Sequence, residues 1–264
     1  MHVQAGDRVV LFEPTTGHRF LAQLDGQGAR KDRGLGVWDP ARLVGTEWGA
    51  TVQIAAKGLV VLRPTLPDLI ATLRRKAQII QPKDASRIAF ELGIGPGDRV
   101  LESGIGSGAA TMALLAAVAP GGEVVAQELR DDFAEWATAN IERAGLADGL
   151  TVTIGNLTVG LADGVKGPFQ GCLLDQPQPW DALPHVVPVL APGATVVAYC
   201  PQVSQMERTA KALRQTGFAD VRCLELIERQ WEVKEFGSRP SFDGLGHTAF
   251  LVIGRFVGAT YQGD

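Results

Sequence analysis

Apolar positions between residues 98 and 255 follow two periods in turn. Short, nearly continuous apolar runs at Val100–Glu102, Glu123–Gln127, Leu150–Ile154, Gly171–Leu174 and Thr195–Tyr199 predict strands. Amphipathic or Ala-rich stretches at Ala109–Val118, Asp131–Ala144 and Val203–Thr216 predict helices, and Trp180–Leu190 separates the last two of these strands. Strands alternating with helices imply an α/β fold with a parallel sheet covered on both faces. Val221–Glu228 and Thr248–Arg255 follow with no helix between them, which predicts antiparallel strands at one edge of the sheet.

The first 63 residues have a different grain. Arg8–Phe12, Arg19–Leu24, Thr51–Ala55 and Leu59–Leu62 are apolar or β-branched runs separated by turn pairs such as Asp25-Gly26 and Lys57-Gly58. They predict a small N-terminal β-domain over residues 1–63. Gly26–Gly36 is glycine-rich and basic and is expected to be a mobile loop. Leu66–Arg75, with Thr65 as N-cap, predicts a helix in a connecting segment over 64–84, which Gln81-Pro82-Lys83-Asp84 breaks before a further helix at Ala85–Leu92. The remaining residues, 85–264, form the α/β domain, with Gly258–Asp264 expected to fray.

Composition changes the picture in three places. The chain of 264 residues is 45% hydrophobic and carries a formal net charge of -4, yet residues 1–76 hold 11 Lys and Arg against 7 Asp and Glu. A basic N-terminal part on an acidic body suits a polyanionic partner touching one region, or is ordinary solvated surface. No apolar run is long enough to span a membrane and the N-terminus lacks the pattern of a signal peptide, so a cytoplasmic protein is expected. Cys172, Cys200 and Cys223 are scattered singly, which argues against disulfides and a zinc site and predicts three reduced core thiols; no metal is expected.

Candidate chemistry centres on Glu102-Ser103-Gly104-Ile105-Gly106-Ser107-Gly108, where a strand runs into a glycine-rich turn that opens a helix. Glycines permit the turn and let a ligand approach the backbone, and the helix start offers free N–H groups. The spacing GxGxG departs from the dinucleotide fingerprint. Glu102 lies two residues before the first glycine, where it could orient the loop or reach an ammonium group but would repel a pyrophosphate. The second strand ends at Gln127-Glu128, where a carboxylate can accept both ribose hydroxyls. These features favour S-adenosylmethionine, and hence a Rossmann-like class I methyltransferase sheet. Asp175 ends the fourth strand of the alternating set, facing the ligand crevice of an open α/β sheet, or caps the next helix. Asp-Pro-Pro-Tyr loops at this position typify enzymes that methylate exocyclic amino groups. Asp175-Gln176-Pro177-Gln178-Pro179-Trp180 departs from that order, which favours a ring nitrogen.

The chain resembles the tRNA (adenine-N1)-methyltransferases of bacteria and archaea that act on the T-loop. The resemblance rests on Arg63-Pro64-Thr65, Pro82-Lys83-Asp84-Ala85, the Gly104–Gly108 loop, Glu128, Asp131-Asp132-Phe133-Ala134, Asp175, Pro179-Trp180, Tyr199, Trp231-Glu232-Val233 and Gly246-His247-Thr248-Ala249-Phe250. It implies transfer of a methyl group from S-adenosylmethionine to N1 of adenine 58, and 57 in some members, by a homotetramer whose β-domain helps grip tRNA. It implies a cofactor held by Glu102, Gly104, Ile105, Gly106, Ser107, Gly108, Glu128, Asn156 and Asp175. Asp175 matches the catalytic aspartate, and Tyr199 an aromatic residue at the mouth of the base pocket. Gln78 and Gln81 fall on the substrate side, with Gln81 replacing a common aromatic or His and making one wall less apolar. Asn156 stands where an acid often contacts the cofactor's adenine amino group, and its amide oxygen can accept that bond. Arg30, Lys31 and Arg33 are candidates for phosphate contact, or are solvated charges. His247 is expected to be a hydrogen-bonded structural residue, with a pocket or interface role as the alternative. Trp231 is expected to serve packing rather than to stack on a base. The rival functions are a methyltransferase acting on a small molecule or protein carboxylate, and a non-catalytic tRNA-binding subunit.

Overall fold

The computed structural model describes residues 1–258, 260 and 261, and it divides into two compact units, Met1–Arg74 and Arg75–Asp264. Most of the expected frayed tail therefore lies outside the described residues.

The first unit is built from β1 (Arg8–Phe12), β2 (Arg19–Gln23), β3 (Arg30–Asp32), β4 (Gly36–Trp38), β5 (Thr51–Ile54), β6 (Lys57–Leu62) and α1 (Leu66–Ala71). Four strands form an antiparallel sheet in the order β2-β1-β6-β5. Val9, Leu11, Leu59 and Val61, at alternate positions of two adjacent strands, give the sheet one apolar face and bury it against Leu35, Trp38 and Leu43. The basic segment expected as a mobile loop is instead the hairpin β3–β4. Two anchors order it: Leu35 and Trp38 are buried, and the Trp38 indole N–H donates to Asp32 Oδ2 at 2.7 Å. Helix α1 is a turn shorter than its pattern predicts. Thr65 caps its start, with Asp68 Oδ2 accepting from both the Thr65 backbone N–H and its hydroxyl.

The second unit contains α2 (Pro82–Leu92), β7 (Arg99–Ser103), α3 (Ala109–Val118), β8 (Glu123–Glu128), α4 (Asp131–Ala144), β9 (Leu150–Ile154), β10 (Phe169–Leu174), α5 (Pro179–Val186), β11 (Leu190–Cys200), α6 (Val203–Gln215), β12 (Phe218–Glu225), β13 (Trp231–Lys234), β14 (Gly237–Pro240) and β15 (Phe250–Phe256). Pro82 opens α2 at the first helical position, where its missing N–H costs nothing, and so starts the helix that it was expected to precede. The seven-stranded sheet has the order β12-β15-β11-β10-β7-β8-β9, with β15 antiparallel to both of its neighbours. Strands β7, β8, β10 and β11 are buried on both faces, as their unbroken apolar runs require. After β9 the chain returns to the far side of β7 to lay down β10. The carboxyl ends of β7 and β10 therefore flank the point where the strand order reverses, which is where open α/β sheets bind ligands.

The segment between β12 and β15, read as connection, carries the hairpin β13–β14. Trp231, expected to serve packing, is 60% exposed in this chain, and Val233, Phe236 and Phe242 nearby are more exposed still. Cys223 is likewise exposed, whereas Cys172 and Cys200 are buried thiols as expected. Among the described residues, no helix is long and apolar enough to cross a membrane.

Candidate active site

The strand-order reversal is stitched together by backbone. Asp175 N–H donates to Ser103 O at 2.8 Å and Gly104 N–H donates to Gln127 O at 3.0 Å, which draws the ends of β10, β7 and β8 together. Gly104 has φ +87°, and a Cβ there would stand 2.0 Å from the Asp175 carbonyl oxygen. Gly108, at φ +89°, faces Ile141 at 3.2 Å and allows α3 to pack on α4. Gly106 differs from both: at φ +55° it has nothing within 4 Å of a Cβ. Two of the three glycines thus serve close packing of the chain on itself, and the third leaves space for a ligand.

That space is a cavity of about 380 Å³. Ser103, Gly104 and Gly106 line it from β7 and its loop, Gln127 and Glu128 from β8, Asn156 from the turn after β9, and Asp175 and Gln176 from the turn after β10. The last turn is held in place: Gln176 contacts the Ser103 hydroxyl and Gln205 Nε2 donates to Pro177 O at 3.0 Å. Asp175 does not cap α5, a position taken by Gln178.

Three carboxylates meet here, and among the described residues none forms an ion pair. Glu128 Oε2 accepts from Ile105 N–H at 3.1 Å and Gly106 N–H at 3.5 Å, and Oε1 from Arg130 N–H at 3.0 Å, so it ties the glycine loop to the end of β8. Glu102 is 1% exposed and neither of its oxygens has a hydrogen-bond partner. Loss of hydration pushes its carboxyl up to about 8, with Asp175 and Glu128 adding to the rise. Loss of hydration, then the Glu128 charge, push Asp175 up to about 7. Such a site favours a ligand that brings positive charge. S-adenosylmethionine, a sulfonium with an amino-acid ammonium group, fits the carboxylate set, the open flank of Gly106 and the size of the cavity.

The other expected site residues divide into groups. Ile105 and Ser107 are buried behind the loop, with Ser107 Oγ accepting from Lys76 N–H at 3.3 Å. Asn156 lines the cavity, but its oxygen accepts from Thr158 N–H at 3.0 Å and from the Thr158 hydroxyl at 2.8 Å. Its free NH₂ is a donor, which corrects the expectation that its oxygen is available to a ligand. Tyr199, 9% exposed at the end of β11, is near Asp175 and Asp84, whose charges raise its phenol further after loss of hydration, but it does not line this cavity. Gln81 caps the start of α2 and Gln78 is exposed. In the first unit, Lys31 and Arg33 are exposed, whereas Arg30 pairs with Asp32 at 3.2 Å and lies over the Trp38 ring.

Several lining residues carried no site assignment from the sequence, Arg130 and Phe133 among them. Arg130 and Phe133 stand at the start of α4, the Arg130 guanidinium 4.2 Å from the Phe133 ring centre and paired with Asp132. Their position directly after the second strand is the signal that could have found them. His247 is structural as expected: its ring contacts Glu225 Oε1 at 2.6 Å and Pro201 O at 2.9 Å. Among the described residues, no group of three or more His, Cys, Asp or Glu is arranged to hold a metal ion.

Comparison with known proteins gives a consistent result. The family model of the tRNA methyltransferase complex GCD14 subunit matches residues 58–248. The tRNA (adenine(58)-N(1))-methyltransferase TrmI of Thermus thermophilus is 36% identical over 194 residues, 74% of this chain and 75% of that protein. The tRNA (adenine(57)-N(1)/adenine(58)-N(1))-methyltransferase TrmI of Methanocaldococcus jannaschii is 30% identical over 223 residues, 74% of this chain and 77% of that protein. Among solved structures, a SAM-dependent O-methyltransferase from Thermotoga maritima superposes with a TM-score of 0.84 at 29% identity, covering 98% of this chain and 96% of that one. A TrmI tRNA methyltransferase from Aquifex aeolicus superposes with a TM-score of 0.76 at 27% identity, covering 97% and 98%.

Proposed function

The chain belongs to the TrmI family of tRNA (adenine-N1)-methyltransferases, and from that premise we propose that it methylates N1 of an adenine in the T-loop of tRNA, using S-adenosylmethionine. The target is adenine 58, with 57 as a second site, as one relative's name has it. The observation that carries this reading is the cluster of Glu102, Glu128 and Asp175, without a protein cation, at the seam of β7 and β10.

S-adenosylmethionine supplies an electrophilic methyl carbon, which N1 attacks through its ring lone pair as the carbon–sulfur bond breaks and the positive charge passes to the base. The nucleophile needs no deprotonation, so the work of the chain is placement. Glu128 and the glycine loop hold the nucleoside end. Asp175 accepts a hydrogen bond from the N6 amino group of the target adenine, which orients the ring and stabilises the charge that grows on it. Tyr199 flanks the base, which must leave its stack to be reached. Lys31 and Arg33, exposed on the β3–β4 hairpin, contact phosphates, with Arg30 held beside them. A non-catalytic tRNA-binding role leaves this carboxylate cluster without a purpose.

We also propose a homotetramer. Trp231 and Val233 share one face of β13 and, with Phe236 and Phe242, expose large apolar side chains on one hairpin and its flank, which a second copy would cover.

Asp175→Ala tests the central role. Turnover on tRNA should fall by about a hundredfold or more, the scale of losing an aligned polar group at the reacting centre, and far more than affinity for S-adenosylmethionine falls. Near-normal turnover would remove Asp175 from this role.

A further inference from the structure

Four parallel strands end side by side in the order β10-β7-β8-β9, so Asp175 and Asn156 stand at opposite ends of the cavity, with the glycine loop and Glu128 between them. Neighbouring strands lie about 4.8 Å apart, and three such steps span about 14 Å. The lining changes character along that span. Asp175, with Glu102 behind it, occupies the β10–β7 end and suits the sulfonium and ammonium groups of the cofactor. Beyond Glu128 the lining turns apolar, with Leu129, Phe133 and Leu157. Leu129 is 64% exposed there, and a flat purine ring is a fitting cover for it. The cofactor's base therefore belongs at the β8–β9 end, where Asn156 is.

The turn that carries Asn156 is tied down on each side. Gly155 N–H donates to Glu128 O at 2.9 Å, and Val159 and Gly160 N–H donate to Asn156 O at 2.9 and 3.1 Å. From the end of β8, Gln127 Nε2 donates to Gly160 O at 2.9 Å and Gln127 Oε1 accepts from Ala162 N–H at 2.9 Å. The side chain of Asn156 is oriented as well. Its Oδ1 accepts from Thr158 N–H at 3.0 Å and from the Thr158 hydroxyl at 2.8 Å. A backbone N–H can only donate, so the atom it meets must be the amide oxygen, and both lone pairs of that oxygen are taken. What Asn156 offers the cavity is its NH₂ group, which donates and does not accept. The amino group of adenine also donates, and two donors make no hydrogen bond.

We infer that Asn156 donates to the cofactor's base instead of accepting from its amino group, so that the base is bound without being selected for that amino group. The partner is an acceptor: a ring nitrogen of adenine or, in a 6-oxo purine, the oxygen that replaces the amino group. A carboxylate at position 156 would accept from the amino group and repel that oxygen, whereas the amide of Asn156 takes either base. This rests on S-adenosylmethionine as the cofactor and not on the choice of RNA target.

Calorimetry with S-adenosylhomocysteine and S-inosylhomocysteine, which carry an amino group and an oxygen respectively at the six-position of the purine, is the test. Wild type, Asn156→Asp and Asn156→Ala are compared, with thermal melts to confirm that each variant folds; Asn156 is exposed and both changes are small. Wild type should bind the two ligands within about threefold of each other, less than one hydrogen bond would separate them. In Asn156→Asp one carboxylate oxygen keeps Thr158 and the other faces the base, so a preference for the amino form of about tenfold or more should appear. Asn156→Ala should weaken both ligands alike, by about threefold, the scale of one modest hydrogen bond. A wild type that already prefers the amino form by about tenfold, no gain of preference in Asn156→Asp, or an Asn156→Ala variant that weakens the amino form alone would overturn the inference and leave the methyltransferase reading standing. A wild type that binds neither ligand would remove both.

Discussion

Gly104→Ala and Gly106→Ala separate the two jobs of the glycine loop. At Gly104 the new methyl would lie 2.0 Å from the Asp175 carbonyl oxygen, where ordinary contact begins at 3.4 Å, so one strand end must retreat by more than an ångström. A left-handed alanine costs about 1–2 kcal/mol and forced overpacking about 1–3 kcal/mol, which together lower the melting temperature by roughly 5–15 °C in a chain of this size. At Gly106 only the conformational cost applies, because nothing lies within 4 Å. The expected drop there is roughly 2–6 °C. The methyl of Gly106→Ala stands instead in the cavity, and affinity for S-adenosylmethionine should fall by about tenfold or more, equivalent to about 1.4 kcal/mol. Differential scanning fluorimetry and calorimetry read both quantities. A melting temperature for Gly104→Ala within about 2 °C of wild type, or undiminished cofactor affinity in Gly106→Ala, would refute this division of roles.

Asp175 at about 7 and Glu102 at about 8 both sit above the usual carboxylate range in the ligand-free protein. A cationic ligand lowers both values, so cofactor binding should release protons near neutrality and tighten as pH rises from about 6 to 8; calorimetry in buffers of different ionisation enthalpy checks this, and pH-independent affinity would count against it. With folded values above the unfolded ones, the stability these groups contribute is complete below about pH 4 and is lost progressively as pH rises to the folded values of about 7 and 8. The melting temperature of the free protein should therefore fall over that window, less steeply in Asp175→Asn. Replacing Trp231, Phe236 and Phe242 with serine should lower the mass seen by light scattering from that of a tetramer to a smaller species. An unchanged tetramer would move the interface elsewhere.

The α/β domain was largely legible in the sequence because its strands are buried on both faces and read as unbroken apolar runs, with α3 and α4 starting and ending where their patterns do. The two short hairpins were not. Strands β3, β4, β13 and β14 are only three or four residues long, too short to show a period, and cross-strand contacts within each hairpin, such as Trp38 on Asp32 and Arg239 on Glu232, hold them. The glycine loop, Glu128 and Asp175 could be placed because strand ends fix them. The contact of Lys83 with Thr248 could not, since it depends on how α2 and the start of β15 come together. The electrostatic character of the site was also hidden. Glu102 was visible as an acid before a glycine turn, but that it is sealed from water with no partner is a property of the packed sheet.

The central claim is tested most directly with unmodified tRNA transcript, the purified protein and labelled S-adenosylmethionine, followed by digestion and nucleoside analysis. The account predicts 1-methyladenosine mapped to the T-loop. Label on a ribose oxygen, on an exocyclic amino group, or on no nucleoside at all would contradict it.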